Sequence, residues 1–552
     1  MASPSCQAAS GGRLWRPGLF LLALILSLPV LTIVGFLLQP PGDNWAHLKQ
    51  TVLPEYLANS AWLALGVGIG VLLIGVSTAW LTAMCRFPGK RFFGWALLLP
   101  LAMPAYIIAY TYTGLLDFAG PVQSLLRELT GWGYGDYRFP QIRSLGGAMA
   151  MLTLVLYPYV YLLARAAFLE QSICVLEVSR TLGCGPWCSF FRVALPLARP
   201  AIVAGLSLAL METLADYGTV AYFGLPVFTT GIFRSWFGMG DSVAAARLAA
   251  LLLLFVFVLL LLERLSRRQA RYHHTSGRYS RLPEYPLTGG WGLAAVLVCG
   301  LPVLLGFLLP ALQLGHWAWL TAAEMVDAAF WRLLFNTLGL AAAAAALALL
   351  LALMLGYGQR LLPARDLKLA ARVATLGYAV PGAVIAVGVM IPLAAFDNAL
   401  DARMREWLGI STGLLLSGSL FALLFAYLVR FLAVSLQTVE AGLGKIRPSV
   451  DDAARSLGYR PREILRRIHM PLMKGSVLTA LLIVFVDVMK ELPATLILRP
   501  FDFNTLAVRA FELASDERLA DSSTAALAIV AAGLIPVIYL SRSISRARAG
   551  HE

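Results

Sequence analysis

Four carboxylates stand where a very apolar sequence offers little reason for charge. Glu212 and Asp216 fall in Met211-Glu212-Thr213-Leu214-Ala215-Asp216-Tyr217-Gly218, and Asp487 and Glu491 in Asp487-Val488-Met489-Lys490-Glu491-Leu492-Pro493. Each pair is spaced by four, which predicts that its members share one helix face. Ionised groups in hydrocarbon are costly, so such residues face a bundle interior or a wet cavity. Two uses fit them. Carboxylate oxygens are hard ligands, and a ring of them could line a cation path. They could equally tie helices together by hydrogen bonds or, in the second pair, neutralise Lys490.

The elements that position these acids are membrane spans. The 552 residues are 59% hydrophobic and only 13% charged, with mean hydropathy +0.75, which leaves too little charge to clothe a soluble domain of this size. Apolar runs such as Leu248–Leu262 and Ala341–Leu355, with their weakly polar flanks, suit a hydrocarbon layer about 30 Å thick. Backbone groups there must be satisfied within the segment, so the spans are helices. Twelve are predicted: 18–38, 59–84, 92–116, 145–168, 197–222, 243–263, 290–313, 333–356, 370–396, 411–435, 474–498 and 523–541. The first follows Arg13 and Arg16 as a signal peptide would. It is too long for that and shares Leu-Pro-Val with the seventh span (Leu28-Pro29-Val30, Leu301-Pro302-Val303), so it reads as a mature helix.

The formal charge of +14 could suggest nucleic acid. Its distribution suggests orientation instead. With the N-terminus inside, the inner segments collect 30 of the 44 lysines and arginines, which makes both termini cytoplasmic. Six scattered cysteines (Cys6, Cys85, Cys174, Cys184, Cys188 and Cys299) show no zinc spacing or disulfide framework and read as packing residues.

The chain repeats itself. Asn59-Ser60 answers to Asn336-Thr337 and Pro104 to Pro381, pairs that read as helix-end and kink devices. Glu212, Asp216, Thr230 and Arg234 answer to Asp487, Glu491, Thr505 and Arg509. Six spans per copy give the halves one orientation, about an axis along the membrane normal. The expected division is a first half 1–263, a basic linker 264–289 and a second half 290–552, with the substrate path between the halves.

Two polar islands recur in the same register, at 173–200 and 448–475. In the first, a short helical stretch containing Glu177 ends at Gly183, Pro186 opens a second helix, and Pro196 precedes the fifth span. In the second, Asp452-Ala453-Ala454 leads to Gly458, Pro461 and Pro471. Glycine suits the left-handed position past a helix end, and proline the first position of the next. Such a helix–turn–helix between two spans is a lever suited to passing on a partner's movement; an ordinary amphipathic loop is the plainer alternative. At about 1.5 Å per residue, the sixteen residues from Pro196 to Glu212 or from Pro471 to Asp487 put these acids about 24 Å above the cytoplasmic loops.

The pattern acidic-x-small, three residues, glycine, nine residues, apolar-x-Leu/Met-Pro resembles the EAA loop of ABC importer permeases. The departures are Val178-Ser179 for the paired alanines in the first loop and Asp452 for glutamate in the second. The resemblance covers the whole chain as two fused permease halves, and implies an all-α polytopic fold of about 12 transmembrane helices in two parallel six-helix repeats, the type I importer permease fold. It further implies docking of the loops on two copies of an ABC ATPase subunit, and location in the cell inner membrane. A periplasmic solute-binding protein would meet the outer face, with Arg234 and Arg509 in external loops as contacts. The segments Met211–Gly224 and Lys490–Thr505 resemble the fused ferric-iron permeases. Thiamine and 2-aminoethylphosphonate permeases share the layout, and an ion-coupled secondary transporter would share the span count.

No G-x-x-x-x-G-K-[ST] or metal-catalytic cluster occurs in the chain. The expectation is a transport subunit without catalytic residues or a cofactor of its own, ATP and Mg being bound by the partner subunits.

Overall fold

The computed structural model describes residues 4–40, 42–133, 135–170, 183, 185–268, 284–362 and 364–549. It is helical almost throughout. Ten helices among them are long and apolar enough to cross a bilayer. Two bent pairs, Lys90–Ala102 with Ala105–Thr130 (91°) and Pro461–Leu472 with Lys474–Met489 (81°), bring the number to as many as 12. The exception to helix is a two-strand parallel pairing of Cys85–Arg86 with Tyr285–Pro286, beside which Lys90 Nζ lies 2.8 Å from Glu284.

The described residues group into two compact units. One draws on Met1–Trp45, Ile232–Ala250 and Asp327–Arg509, the other on Ala46–Gly231, Leu251–Val326 and Ala510–Glu552. Each is built on the same three-helix core. In the unit of the first repeat, Leu53–Met84, Leu145–Glu170 and Leu195–Ala215 pack pairwise; in the other, Ala328–Leu361, Leu420–Gly444 and Lys474–Met489 do so. Small residues make this close packing possible: Ala341, Ala344, Ala345, Ala348 and Ala352 line the buried side of Ala328–Leu361.

The units do not follow chain order. The helix Pro4–Phe36 packs on Gly382–Leu408 and Arg365–Ala374, helices of the second repeat. The fit is tight because Gly388 has no side chain: a Cβ there would come within 2.4 Å of the Pro29 carbonyl oxygen. In the other unit, Leu309–Met325 packs on the last helix, Leu519–Ala549.

Apolar side chains left exposed run in stripes spaced by four, such as Leu65, Ile69 and Leu73, or Leu293, Leu297 and Leu301. On a soluble molecule such stripes would drive aggregation, whereas around spans of this length they form the lipid-facing surface. The free thiols Cys85 and Cys299 are buried packing residues. Cys188 is disulfide-bonded, so the expectation that all six cysteines only pack fails there.

Candidate functional site

The second polar island is a compact lever. The helix Pro448–Ser456 ends at Leu457, and Gly458 follows with φ +84°. The backbone N–H of Gly458 donates to the Arg455 carbonyl (3.0 Å) and that of Tyr459 to Ala454 (3.1 Å), closing the helix end through the left-handed residue. A second helix opens at Pro461, where the Arg460 N–H donates to the Glu463 carboxylate at 2.8 Å.

A buried polar network ties this lever to the end of Ala328–Leu361. Arg360, in the last turn of Ala328–Leu361, puts Nε 2.7 Å from Asp451 Oδ2. Its Nη1 and Nη2 donate to the carbonyls of Leu443 and Ile446. The other Asp451 oxygen lies 2.6 Å from His469 Nε2, and the Tyr357 hydroxyl donates to the Pro461 carbonyl at 2.6 Å. Burial works to raise the Asp451 carboxyl, but the hydrogen bonds from Arg360 and His469 hold it below the usual carboxylate range. Asp452 and Ala453 face outward beside Leu457, which is 77% exposed, while Ala454 is buried.

The first island is described only in part. Glu177 lies outside the described residues. Gly183 is exposed at φ +79°, the conformation of Gly458. Pro186 begins the helix Pro186–Ser189. Pro196 does not stand before the fifth span but within it, since the helical run continues from Trp187 to Ala215. Pro471 is also helical, but the chain breaks at Met473. Each proline follows a π-helical turn, Phe190–Ala194 or Leu465–His469. Proline has no N–H for the preceding turn, and a π turn re-routes the carbonyls left over.

The acids are arranged differently from what their spacing predicts. The helix Leu195–Ala215 stops before Asp216, whose ψ of 132° is extended. The Asp216 carboxylate then accepts from the Thr219 N–H (3.0 Å), the Thr219 hydroxyl (3.1 Å) and the Val220 N–H (3.2 Å), capping Gly218–Tyr222. In the second repeat the helix ends at Met489. Glu491 there accepts from the Ala494 N–H (3.0 Å), the Thr495 N–H (3.0 Å) and the Thr495 hydroxyl (2.8 Å), capping Pro493–Leu498. Glu212 and Asp487 remain inside the long helices, half-buried, and Asp487 pairs with Lys490 at 2.8 Å. The members of each pair therefore do not share a helix face. A carboxylate that meets freed N–H groups stabilises the break between two helices.

The repeated Asn–Ser/Thr pairs hold the segments that follow the capped helices. Asn59 Nδ2 donates to the Pro226 carbonyl (3.0 Å) and the Ser60 hydroxyl accepts from the Phe228 N–H (3.3 Å). Asn336 Nδ2 donates to the Asn504 carbonyl (3.4 Å) and the Thr337 hydroxyl accepts from the Leu506 N–H (2.9 Å). Arg234 and Arg509 are helical rather than in loops, the first exposed in the turn Arg234–Gly238, the second half-buried in Leu506–Ser515. Pro104 and Pro381 are N-cap residues that start helices.

Sequence reasoning missed Arg360, Asp451, His469, Tyr357 and Arg430. One of them left a signal: Arg430 is a lone charge in the apolar run from Leu420 to Ser435, and a cation there needs a carboxylate such as Glu491.

Two repeats of membrane helices, each with a break capped by an acid, and a glycine-turn helix pair in the second, define a polytopic permease. The chain belongs to the binding-protein-dependent transport system inner membrane component family, which it matches over residues 71–271 and 348–549. It is 26% identical over 504 residues to the Fe(3+)-transport system permease protein FbpB 2 of Haemophilus influenzae, covering 89% of this chain and 90% of that protein. To the ferric transport system permease protein FbpB of Actinobacillus pleuropneumoniae it is 24% identical, over 87% of this chain and 72% of the other. The molybdenum transport system permease protein ModB of Escherichia coli K12 is 30% identical over 209 residues, which is 36% of this chain and 88% of that protein.

Proposed function

We propose that the chain is the transmembrane subunit of an ATP-driven importer of ferric iron, delivered by a periplasmic binding protein. The observation that carries the substrate is the likeness to ferric permeases over nearly nine-tenths of the chain, both repeats included. The molybdenum relative accounts for about one repeat alone. In this reading the protein sits in the cell inner membrane with both termini cytoplasmic.

The levers around Gly183 and Gly458 dock two copies of an ATPase subunit, which bind ATP and Mg, so this chain needs no cofactor. Asp452 and Ala453 face the docked subunit, Ala454 anchors the helix, and Glu177 answers to Asp452 in the first loop. Pro186 and Pro461 open the second helix of each lever, and Pro196 and Pro471 follow the π-helical turn at its end. Arg234 and Arg509 meet the binding protein. Glu212, Asp216, Asp487 and Glu491 keep the region of the helix breaks polar along the passage. Among the described residues no three His, Cys, Asp or Glu side chains converge as a metal site, so the acids are proposed as lining rather than as a chelating cage.

The test is uptake into proteoliposomes containing this chain, the ATPase subunit and the binding protein. ATP-dependent accumulation of ferric iron, and not of thiamine or molybdate, is expected. Uptake of thiamine or molybdate alone would reassign the substrate. Uptake driven by an ion gradient without the ATPase would overturn the importer class.

A further inference from the structure

The two repeats meet their capping carboxylates differently, and the difference leaves a charge unmatched in the first. In the second repeat Glu491 is 5% exposed, its Oε1 lies 2.9 Å from Arg430 Nη1, and the Tyr427 hydroxyl reaches Thr495 Oγ1 at 2.7 Å. The helices Leu145–Glu170 and Leu420–Gly444 begin 275 positions apart, as do the capped helices Gly218–Tyr222 and Pro493–Leu498. At that offset Asp216 replaces Glu491, Val155 replaces Arg430, Leu152 replaces Tyr427 and Val220 replaces Thr495. Asp216 takes part in no ion pair among the described residues; its partners are the N–H groups and hydroxyl that it caps.

Beside Asp216 lies a cavity of about 10 Å³ whose wall is mostly apolar, with Ser60, Thr213, Thr229 and Asp216 itself as its polar side. That volume admits one water-sized occupant. The Thr213 hydroxyl donates to the Ala209 carbonyl at 2.8 Å, and the Thr229 hydroxyl to the Asp216 carbonyl at 2.8 Å. Their protons are thereby committed, and what remains is oxygen lone pairs. The cavity thus offers hard oxygen ligands around one uncompensated carboxylate.

We propose that this cavity binds a single monovalent cation of sodium size, held by the Asp216 carboxylate and the hydroxyl oxygens of Thr213 and Thr229, in the electrostatic role that Arg430 fills in the other repeat. One carboxylate balances one positive charge, and oxygen ligands suit an alkali cation. The site does not depend on which substrate the passage carries.

The experiment follows thermal unfolding of the full chain in lipid nanodiscs. Sodium chloride replaces choline chloride at constant ionic strength and pH, and 23Na line broadening serves as a direct readout. A saturable rise of about 2 °C or more in midpoint is expected with sodium, with a smaller rise for potassium. Asp216→Asn and Thr229→Val should flatten the dependence. Val155→Arg, which supplies a guanidinium from within, should make the stability sodium-independent. If that variant does not fold, the other two still decide. Stability indifferent to sodium would mean that the cavity holds only water. Dependence that survives Asp216→Asn would place sodium elsewhere, and dependence on pH but not on sodium would assign a proton. Each of these three results overturns the proposal.

Discussion

Arg360 Nε and Asp451 Oδ2 stand 2.7 Å apart, joining the last turn of one membrane helix to the first turn of the lever beneath it. The pair is nearly buried, with side-chain exposures of 16% and 10%. Arg360 also satisfies two carbonyls at the end of the neighbouring helix. One guanidinium therefore ties three segments together, and in the proposed docking a force on the lever would reach all three. Removing one member of a buried pair costs about 3–5 kcal/mol, because it strands the other charge. Arg360→Met is expected to loosen the lever, uncoupling ATP hydrolysis from uptake while the chain still inserts. The check is the ratio of substrate imported to ATP hydrolysed in proteoliposomes, and an unchanged ratio would count against the assignment.

The same network fixes a pH dependence. The Asp451 carboxyl is held below its ordinary range, so its contribution is present above the unfolded value, about 3.9, and is lost as pH falls through the lower folded value. Between about pH 5 and 8 the Asp451 carboxylate should stay charged and contribute no slope. Below about pH 4 the lever should loosen, and in Asp451→Asn this acid-induced step should be missing. Limited proteolysis between Arg447 and Lys474 across that range measures it directly.

Gly458 tests the lever without touching the network. Its φ of +84° is in the left-handed region, and a Cβ there would meet nothing within 4 Å. The constraint on this residue is conformational and not steric. Gly458→Val places a β-branched residue where left-handed backbone costs roughly 1–2 kcal/mol or more. The turn is exposed, so the helices above should keep their packing. The expected result is normal membrane insertion and thermal stability within a few degrees, with ATP-driven uptake reduced at least tenfold. Retained uptake would show that the turn does not need its left-handed residue.

How much of this was legible in the sequence depends on range. The lever turns could be read because a left-handed residue selects glycine and a helix start tolerates proline, both local effects. Most spans could be read because a bilayer imposes length and apolarity on each segment separately; twelve is reached only if each of the two bent pairs counts as one span. The break before Asp216 was hidden, since the apolar residues from Ala209 to Val220 continue a helical rhythm across it. What ends the helix is the cap that forms only once the chain has turned. The Arg360–Asp451–His469 network was hidden for another reason: its bonds join residues 91 and 18 apart, and no local pattern records such a meeting. The exchange of Pro4–Phe36 onto the helices of the second repeat is likewise a tertiary fact.

The pair Arg430–Glu491 allows a sharper measurement than any single substitution. Glu491 serves both as the cap of Pro493–Leu498 and as the counter-charge of Arg430. Glu491→Gln keeps part of the capping ability but removes the carboxylate charge facing the guanidinium, and Arg430→Met removes the cation facing the carboxylate. Each single change should cost about 3–5 kcal/mol. The double variant removes both charges together, so its cost should fall short of the sum by at least about 1 kcal/mol. Unfolding in mixed micelles with increasing denaturing detergent supplies the three values. If the costs add instead, the short distance reflects no energetic coupling, and the cap alone holds that break.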